Sequence, residues 1–404
     1  MDTSLARSAG LSLAPAAGIV EGSTGVASFD LSAPAPVAVT FSLMAPAGVV
    51  AVPATASIAA GGTRVTFPVY GAKSGVEEFT AVASDTRYET AVARVQVTAR
   101  TNLKVAVLSG DRQVATGSAL GQAIVVRAVD QNGVGYSNVA MTASPSAGTV
   151  TPQTAITDEF GYVSFAWSPP VKGAVLHVSV DQAPASGVDV FSLGPPSASF
   201  VVNGASYSAH IAPSGFATVQ GSGFAPGINL SASSPFPTTL GNVTVTVNGT
   251  VAGLLFVSDT QVNFLAPDNL LPGSADVTVT TPAGTSASVK AEVDSYAPGI
   301  FFDSATGYGA VLIAGTGDVT QVHPAKHGDY LEVYCTGLGM IAGQTVGAII
   351  AGVNATVVYS GPTVIPGLYQ VNVQVPPGVV SGRQGLSVSI AGVVSNTVSV
   401  QIAP

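Results

Sequence analysis

Apolar and small polar residues alternate one for one in short runs along the whole chain, and glycine closes run after run. A repeat of two sends successive side chains to opposite faces of an extended strand, so such runs bury one face and show the other to water. Val243-Thr244-Val245-Thr246-Val247 sets three valines against two threonines. Asn248-Gly249 follows, and both residues accept the positive φ of a type I′ hairpin turn. Thr63-Arg64-Val65-Thr66-Phe67-Pro68-Val69 alternates after Gly61-Gly62, and Val277–Thr280 and Leu386–Ile390 repeat the pattern before Gly284 and Gly392. No window of about eleven residues carries a helical apolar stripe free of Gly or Pro. The pattern predicts an all-β chain with helix confined to stray turns.

Composition narrows the class. Charged residues make up 9% of the 404, against roughly 25% in ordinary soluble domains. Hydrophobic residues reach 47%, which excludes disorder, a state of low hydrophobicity and high net charge. No apolar run approaches the roughly 18 residues of a membrane-spanning helix. A net charge of −9 leaves no basic face for nucleic acid. One cysteine makes no internal disulfide, so packing alone stiffens the chain. Met1-Asp2-Thr3-Ser4-Leu5-Ala6-Arg7 lacks the basic and apolar regions of a signal peptide. With this composition, the expectation is an exported protein whose signal peptide has been removed and an initiator Met added.

An immunoglobulin-size sandwich needs about 100 residues, which divides this length into four. Breaks fall at Thr98-Ala99-Arg100-Thr101-Asn102, at Gly194-Pro195-Pro196 and at Ser295-Tyr296-Ala297-Pro298-Gly299. The expected domains are 1–99, 100–195, 196–296 and 297–404. The last two are copies. Gln261-Val262-Asn263 recurs as Gln370-Val371-Asn372, and Pro267, Gly273, Val279 and Val289 meet Pro376, Gly382, Val388 and Val398 at the same offset of 109. Upstream, Gly223-Phe224 pairs with Gly337-Leu338 at 114, a shift that a five-residue change in one connecting loop explains. The expected fold is a tandem array of four immunoglobulin-like β-sandwich domains, elongated because each contacts only its neighbours.

Particular motifs carry a family resemblance. Val202-Asn203-Gly204-Ala205-Ser206-Tyr207, Ile211-Ala212-Pro213, Gly221-Ser222-Gly223-Phe224 and Gln261-Val262-Asn263-Phe264 resemble an uncharacterised C-terminal domain of large secreted soil-bacterial proteins. Tyr296-Ala297-Pro298-Gly299-Ile300-Phe301, Thr336-Gly337-Leu338-Gly339 and Gly367–Val373 extend that resemblance over residues 197–404. Each half resembles an IPT/TIG-type domain. Asp130-Gln131-Asn132-Gly133 and Thr157-Asp158-Glu159-Phe160-Gly161-Tyr162-Val163 make residues 100–193 similar to an invasin/intimin-type domain. Residues 11–99 are similar to another short bacterial Ig-like repeat, on Val52-Pro53-Ala54 and Ile58–Thr63. The resemblance implies an exported, non-catalytic module with no catalytic, cofactor or metal residues to transfer.

Each reactive residue also fits a plainer role. No serine sits in a G-x-S-x-G elbow. Of the four histidines, His177, His210, His323 and His327, His177 alternates with Val178 and reads as an outward strand residue. His323 and His327 share a loop with Asp329, short of the four ligands of structural zinc. Cys335 shares a strand face with Leu331 and Val333 and reads as a small core residue. Asp130, Asn132, Asp158 and Glu159 could sketch a calcium site, but Asp and Asn before Gly are also what turns require. Trp167, the lone tryptophan, shares a face with Phe165 and reads as core.

Two functions follow. One is a non-enzymatic structural or adhesive protein of the bacterial cell surface, associating with copies of itself or other surface proteins as a fibre subunit. The other is a carbohydrate-binding accessory region of a larger secreted enzyme, binding glycans through an exposed strip drawn from Tyr207, Tyr334, Tyr359 and Tyr369. Lysine is scarce, so strand edges lack their usual guards, and the N-terminal segment before Leu11 is a candidate strand donor. No nucleic acid and no membrane insertion are expected.

Overall fold

The computed structural model describes residues 9–14 and 18–404. The proposed N-terminal strand donor lies largely outside them. Among the described residues the chain is strand and turn, with one 3₁₀ turn at Arg100–Asn102. No helix there is long and apolar enough to cross a membrane. The alternating runs fold as strands: Arg64–Gly71, Thr244–Val247, Gly273–Thr281 and Gly382–Ile390 bury every second residue for most of their length. The chain is all-β, built of four immunoglobulin-like sandwiches, and it divides into two compact units at Ser192/Leu193.

The first unit holds two sandwiches. In one, a sheet ordered Ala9–Ala14, Thr24–Leu31, Arg64–Gly71, Val50–Ala51 packs on a five-stranded sheet centred on Gly75–Ala83. The rings of Phe29 and Phe41 stack at 4.7 Å between them, and Phe67 meets Phe79 edge-on at 6.3 Å. Offset and edge-on ring pairs add to the burial of apolar area. The short Ile19–Val20 strand runs parallel to Ala91–Thr98, so the N-terminal strand pair divides between the two sheets as in immunoglobulin folds. The second sandwich encloses Ile124, Val126, Met141, Phe165, Trp167 and Leu176, and Trp167 is 1% exposed.

One inward position breaks the apolar pattern. Glu77 points into the first core beside Phe79 and Ala81, fully buried. A buried carboxylate is costly unless hydrogen-bonded. Here one oxygen accepts the Ala47 N–H at 2.9 Å and the other the Val49 N–H at 2.8 Å, tying the turn after Val39–Met44 to the sheet.

In the second unit the two copies match in strand register. Val219 pairs with Val262 as Val333 pairs with Val371, Val245 with Val279 as Ala348 with Val388, and Ala275 with Ala291 as Gln384 with Val400. Even the bulges correspond, between Leu254 and Phe256 in one copy and between Val357 and Tyr359 in the other. Register also corrects the single-loop account of the offset. The offset is 114 on the Phe216–Ser222 strand, 103 on Thr244–Val257 and 109 from Gln261 onward. The segment after the first of these strands is therefore eleven residues shorter in the fourth sandwich, and the turn before Tyr369 six longer. The Asn248-Gly249 turn takes the expected positive φ values, 47° and 80°; its counterpart is Ala351-Gly352, at 52° and 79°.

Buried polar atoms join these two sandwiches. Asn203, 1% exposed, donates from Nδ2 to the Ala297 carbonyl at 2.8 Å, while its Oδ1 accepts the N–H groups of Ala205 and Ser206. Thr336 Oγ1, fully buried, accepts the Phe216 N–H at 2.8 Å and donates to the Gly367 carbonyl at 2.7 Å. The Phe216 ring meets Phe236 of the third sandwich and Phe301 of the fourth edge-on, at 5.9 and 6.2 Å. Gly367 must stay bare: at φ +86°, a Cβ would sit 2.8 Å from the Phe216 ring.

Candidate functional site

The structure separates the sequence candidates. Cys335 is fully buried in the fourth core, and desolvation pushes its thiol up to about 12. Its equivalent is Gly221, where a Cβ would run into the Ser197 carbonyl oxygen and lie 2.5 Å from the tip of Phe224; in the fourth sandwich Leu338 stands in place of that phenylalanine.

The histidines hold local structure. His177 Nδ1 lies 2.8 Å from Asp189, His210 Nδ1 2.8 Å from Asp294, and His323 Nδ1 3.5 Å from Asp318. His327 Nε2 donates to the Val379 carbonyl at 2.7 Å. Asp329 accepts the Lys326 N–H instead of facing a metal partner. The two acidic turns use their carboxylates on backbone. Asp130 Oδ1 accepts from Asn132 and Val134, at 2.9 and 3.0 Å, and Asp158 Oδ1 from Phe160 and Tyr162, at 2.9 and 2.8 Å. These are Asx turns with the same spacing, built twice. Among the described residues no three His, Cys, Asp or Glu stand together as metal ligands.

The tyrosine strip needs correction. Tyr369 is core: its ring is buried beside Cys335, its hydroxyl donates to the Gly339 carbonyl at 3.0 Å, and burial raises its pKa. The first residue of a strand whose outward members are Gln370, Asn372 and Gln374 must itself face inward. Tyr207, half-exposed, packs edge-on against Phe302 in a loop away from the strip's sheet face. Tyr334 and Tyr359 do share a face. With them stands Tyr330, which the sequence reading passed over.

That face is laid out by strand register. Tyr330, Glu332 and Tyr334 lie opposite Gln374, Asn372 and Gln370, and Tyr359 lies on the far side of Asn372. Gln370 Nε2 donates to Asn372 Oδ1 at 2.8 Å, and the Tyr334 hydroxyl donates to Glu332 at 3.3 Å. Burial, then the neighbouring Glu332 charge, raises the Tyr334 pKa. Tyr359 lies across Gly361, where a Cβ would meet its phenol oxygen at 2.5 Å. The offset of 103, had it been read, would have set Tyr359 over Phe256 and marked the face.

The geometry defines a class, an immunoglobulin-like β-sandwich protein with its polar groups spent on structure. No known protein family matches the chain, and no curated protein matches it. Among solved structures it is similar to the D0–D1 domains of intimin, at 18% identity over 46% of this chain and 94% of that one, TM-score 0.20. It is similar to invasin, a bacterial integrin-binding protein, at 14% identity over 98% and 79%, TM-score 0.22. It is also similar to SGBP-B of the Bacteroides ovatus mixed-linkage glucan utilization locus, solved with a heptasaccharide, at 10% identity over 74% and 70%, TM-score 0.25.

Proposed function

We propose that the chain is a non-catalytic, exported adhesive or structural module of the bacterial cell surface, working by contact between surfaces. One observation carries this reading: the candidate reactive groups are consumed by turns, cross-strand pairs and core, while faces and edges stay open. Val76, Val82 and Val92 are 60%, 40% and 51% exposed on one sheet of the first sandwich. Singly exposed valines are ordinary; these three share the outward face of one sheet, with Glu78 and Thr80 between Val76 and Val82. The Ala9–Ala14 strand forms an edge of its sheet with no Lys, Arg or Pro. Such an edge accepts a further strand.

Within this reading the domain limits lie near 99, 195 and 296, and residues 197–404 form a pair of IPT/TIG-like domains. The edge makes self-association the contact of choice. Sedimentation over a wide concentration range should show association, and electron microscopy of native material should show fibres. Gly10→Lys guards the edge without crowding, since a Cβ there meets nothing nearer than 3.7 Å. It should abolish association and leave the melting temperature unchanged. A chain that stays monomeric at high micromolar concentration, with no fibres in native material, refutes the self-associating form.

The alternative, a carbohydrate-binding accessory region of a larger secreted enzyme, is favoured by the tyrosine-bearing face of the fourth sandwich.

A further inference from the structure

We infer that the outward face formed by the Tyr330–Thr336, Tyr369–Gln374 and Val353–Pro362 strands binds a neutral, extended oligosaccharide. The inference rests on reading the chain as a surface-contact module, and it names what one such surface contacts.

The chemistry on the face selects the ligand. Tyr330 and Tyr359 are 42% and 46% exposed, while Glu332, Tyr334, Gln370 and Asn372 are half-buried between them. Tyr330 and Tyr334 stand about 13 Å apart along one strand, and Tyr359 lies about 9–10 Å across the sheet from that strand, two strand spacings away. An aromatic ring offers an apolar body with a polar tip, matching the C–H face and rim hydroxyls of a pyranose. Between the rings, the Gln370–Asn372 hydrogen bond fixes both amides, leaving Gln370 Oε1 and Asn372 Nδ2 without a partner among the described residues. An acceptor and a donor held side by side suit vicinal hydroxyls. Convergent polar groups among aromatic rings are what small-ligand sites use. Glu332 is the one charge among these residues, so an anionic glycan is disfavoured and a neutral one is not.

The third sandwich shows what the same positions look like when they hold protein. Phe216, Thr218, Gln220 and Phe256 stand where Tyr330, Glu332, Tyr334 and Tyr359 stand in the copy. There Phe216 is buried against Phe301 of the next sandwich, and buried Thr218 donates to Asn263 Oδ1 at 3.0 Å. The amide pair is common to both copies, since Gln261 Nε2 donates to Asn263 Oδ1 at 2.6 Å, so the copies differ in their rings and at the threonine. In the fourth sandwich each ring at these positions carries a hydroxyl, the threonine is a carboxylate, and the ring at 330 is open. Those exchanges fit a hydroxyl-rich ligand better than a second protein surface.

Isothermal titration of the full chain with cellohexaose, xylohexaose and mannohexaose, and with polygalacturonate as the anionic comparison, tests the assignment. One of the neutral probes should bind at a single site. Tyr359→Ala and Asn372→Ala should each weaken it about tenfold, with Tyr359→Phe, which keeps the ring and loses the hydroxyl, falling between the parent and Tyr359→Ala. Tyr207→Ala, away from the face, should leave binding unchanged. Both key side chains reach solvent, so an unchanged melting curve separates lost binding from lost fold. The inference is overturned if none of the three neutral probes binds, if polygalacturonate binds best, or if Tyr359→Ala leaves binding intact. It is also overturned if Tyr359→Ala abolishes self-association, which would make a second copy the occupant. Sedimentation of Gly10→Lys reports on the surface-contact reading separately: association kept to the Ala9–Ala14 edge with no glycan bound removes this inference alone.

Discussion

The third and fourth sandwiches share one strand plan and put it to different uses. In the third, the Phe216 end of the face is closed by the next sandwich through a ring, a bare glycine and the hydroxyl of Thr336. In the fourth, the same face ends in tyrosines and stands open. Backbone pairing, down to the bulge, is held constant while the outward residues change. A sandwich specifies its fold with inward residues and register, and it leaves the outward set free to become either an internal joint or an external surface.

The sharpest way to break the comparison is at the joint. Thr336→Val keeps the shape and removes both hydrogen bonds, stranding the Phe216 N–H and the Gly367 carbonyl in a dry interface. A loss of about 3 kcal/mol is expected in urea unfolding. A loss under about 0.5 kcal/mol would mean the joint does not depend on this hydroxyl. Next comes the core exchange. Gly221→Cys, importing the fourth sandwich's residue into the third, drives an atom toward Phe224 and the Ser197 carbonyl and should cost about 2 kcal/mol. Adding Phe224→Leu should recover only part of that, because the backbone carbonyl cannot yield. Full recovery would show that the two cores differ in side chains alone.

The buried thiol adds a pH dependence that the third sandwich lacks. Its pKa is raised in the fold, from 9.0 to about 12. Below pH 9 the thiol is protonated whether folded or not, and its contribution is fully present. As pH climbs from 9 toward 12 the unfolded chain ionises first, and stability falls by about 1.4 kcal/mol per pH unit. Denaturation curves of the parent and Cys335→Ala should converge over that window; parallel curves would place the thiol in water. The smallest effect belongs to the hairpin turns. Ala351 occupies a left-handed conformation that Asn248 tolerates better, so Ala351→Asn should raise the midpoint by about 1 kcal/mol of stability. No gain would mean the turn is strained by its neighbours.

How much could be read from the residues follows the range of the interactions. Strand identity, the Asn248-Gly249 turn and the inward Trp167 are written in neighbours one or two positions apart, and the duplication in repeated motifs, so all were legible. Glu77 was not, because its partners Ala47 and Val49 lie some thirty residues away, and Val76-Glu77-Glu78-Phe79 alone gives no reason to point a carboxylate inward. Asn203 and Thr336 appear in recognisable motifs, yet their task depends on Ala297 and Phe216, across the sandwich boundary. Tyr369 was misplaced for a simpler reason. A strand's phase decides which face a tyrosine takes, and Gln370-Val371-Asn372 already placed its valine inward.

One difference between the copies bears on mechanical load. In the third sandwich the hairpin partner is interrupted: Thr250–Val251 belongs to one sheet, Gly253–Val257 to the other, and Ala252 lies between. In the fourth, the unbroken Val353–Pro362 strand pairs with Val346–Ile350 over its first residues and with Tyr369–Gln374 over the rest. The two sheets are thereby one continuous hydrogen-bonded network. Sliding one sheet over the other would have to tear a ladder rather than shear a layer of valines. Under tension the fourth sandwich should therefore yield after the third, so the open tyrosine face keeps its shape while force is applied.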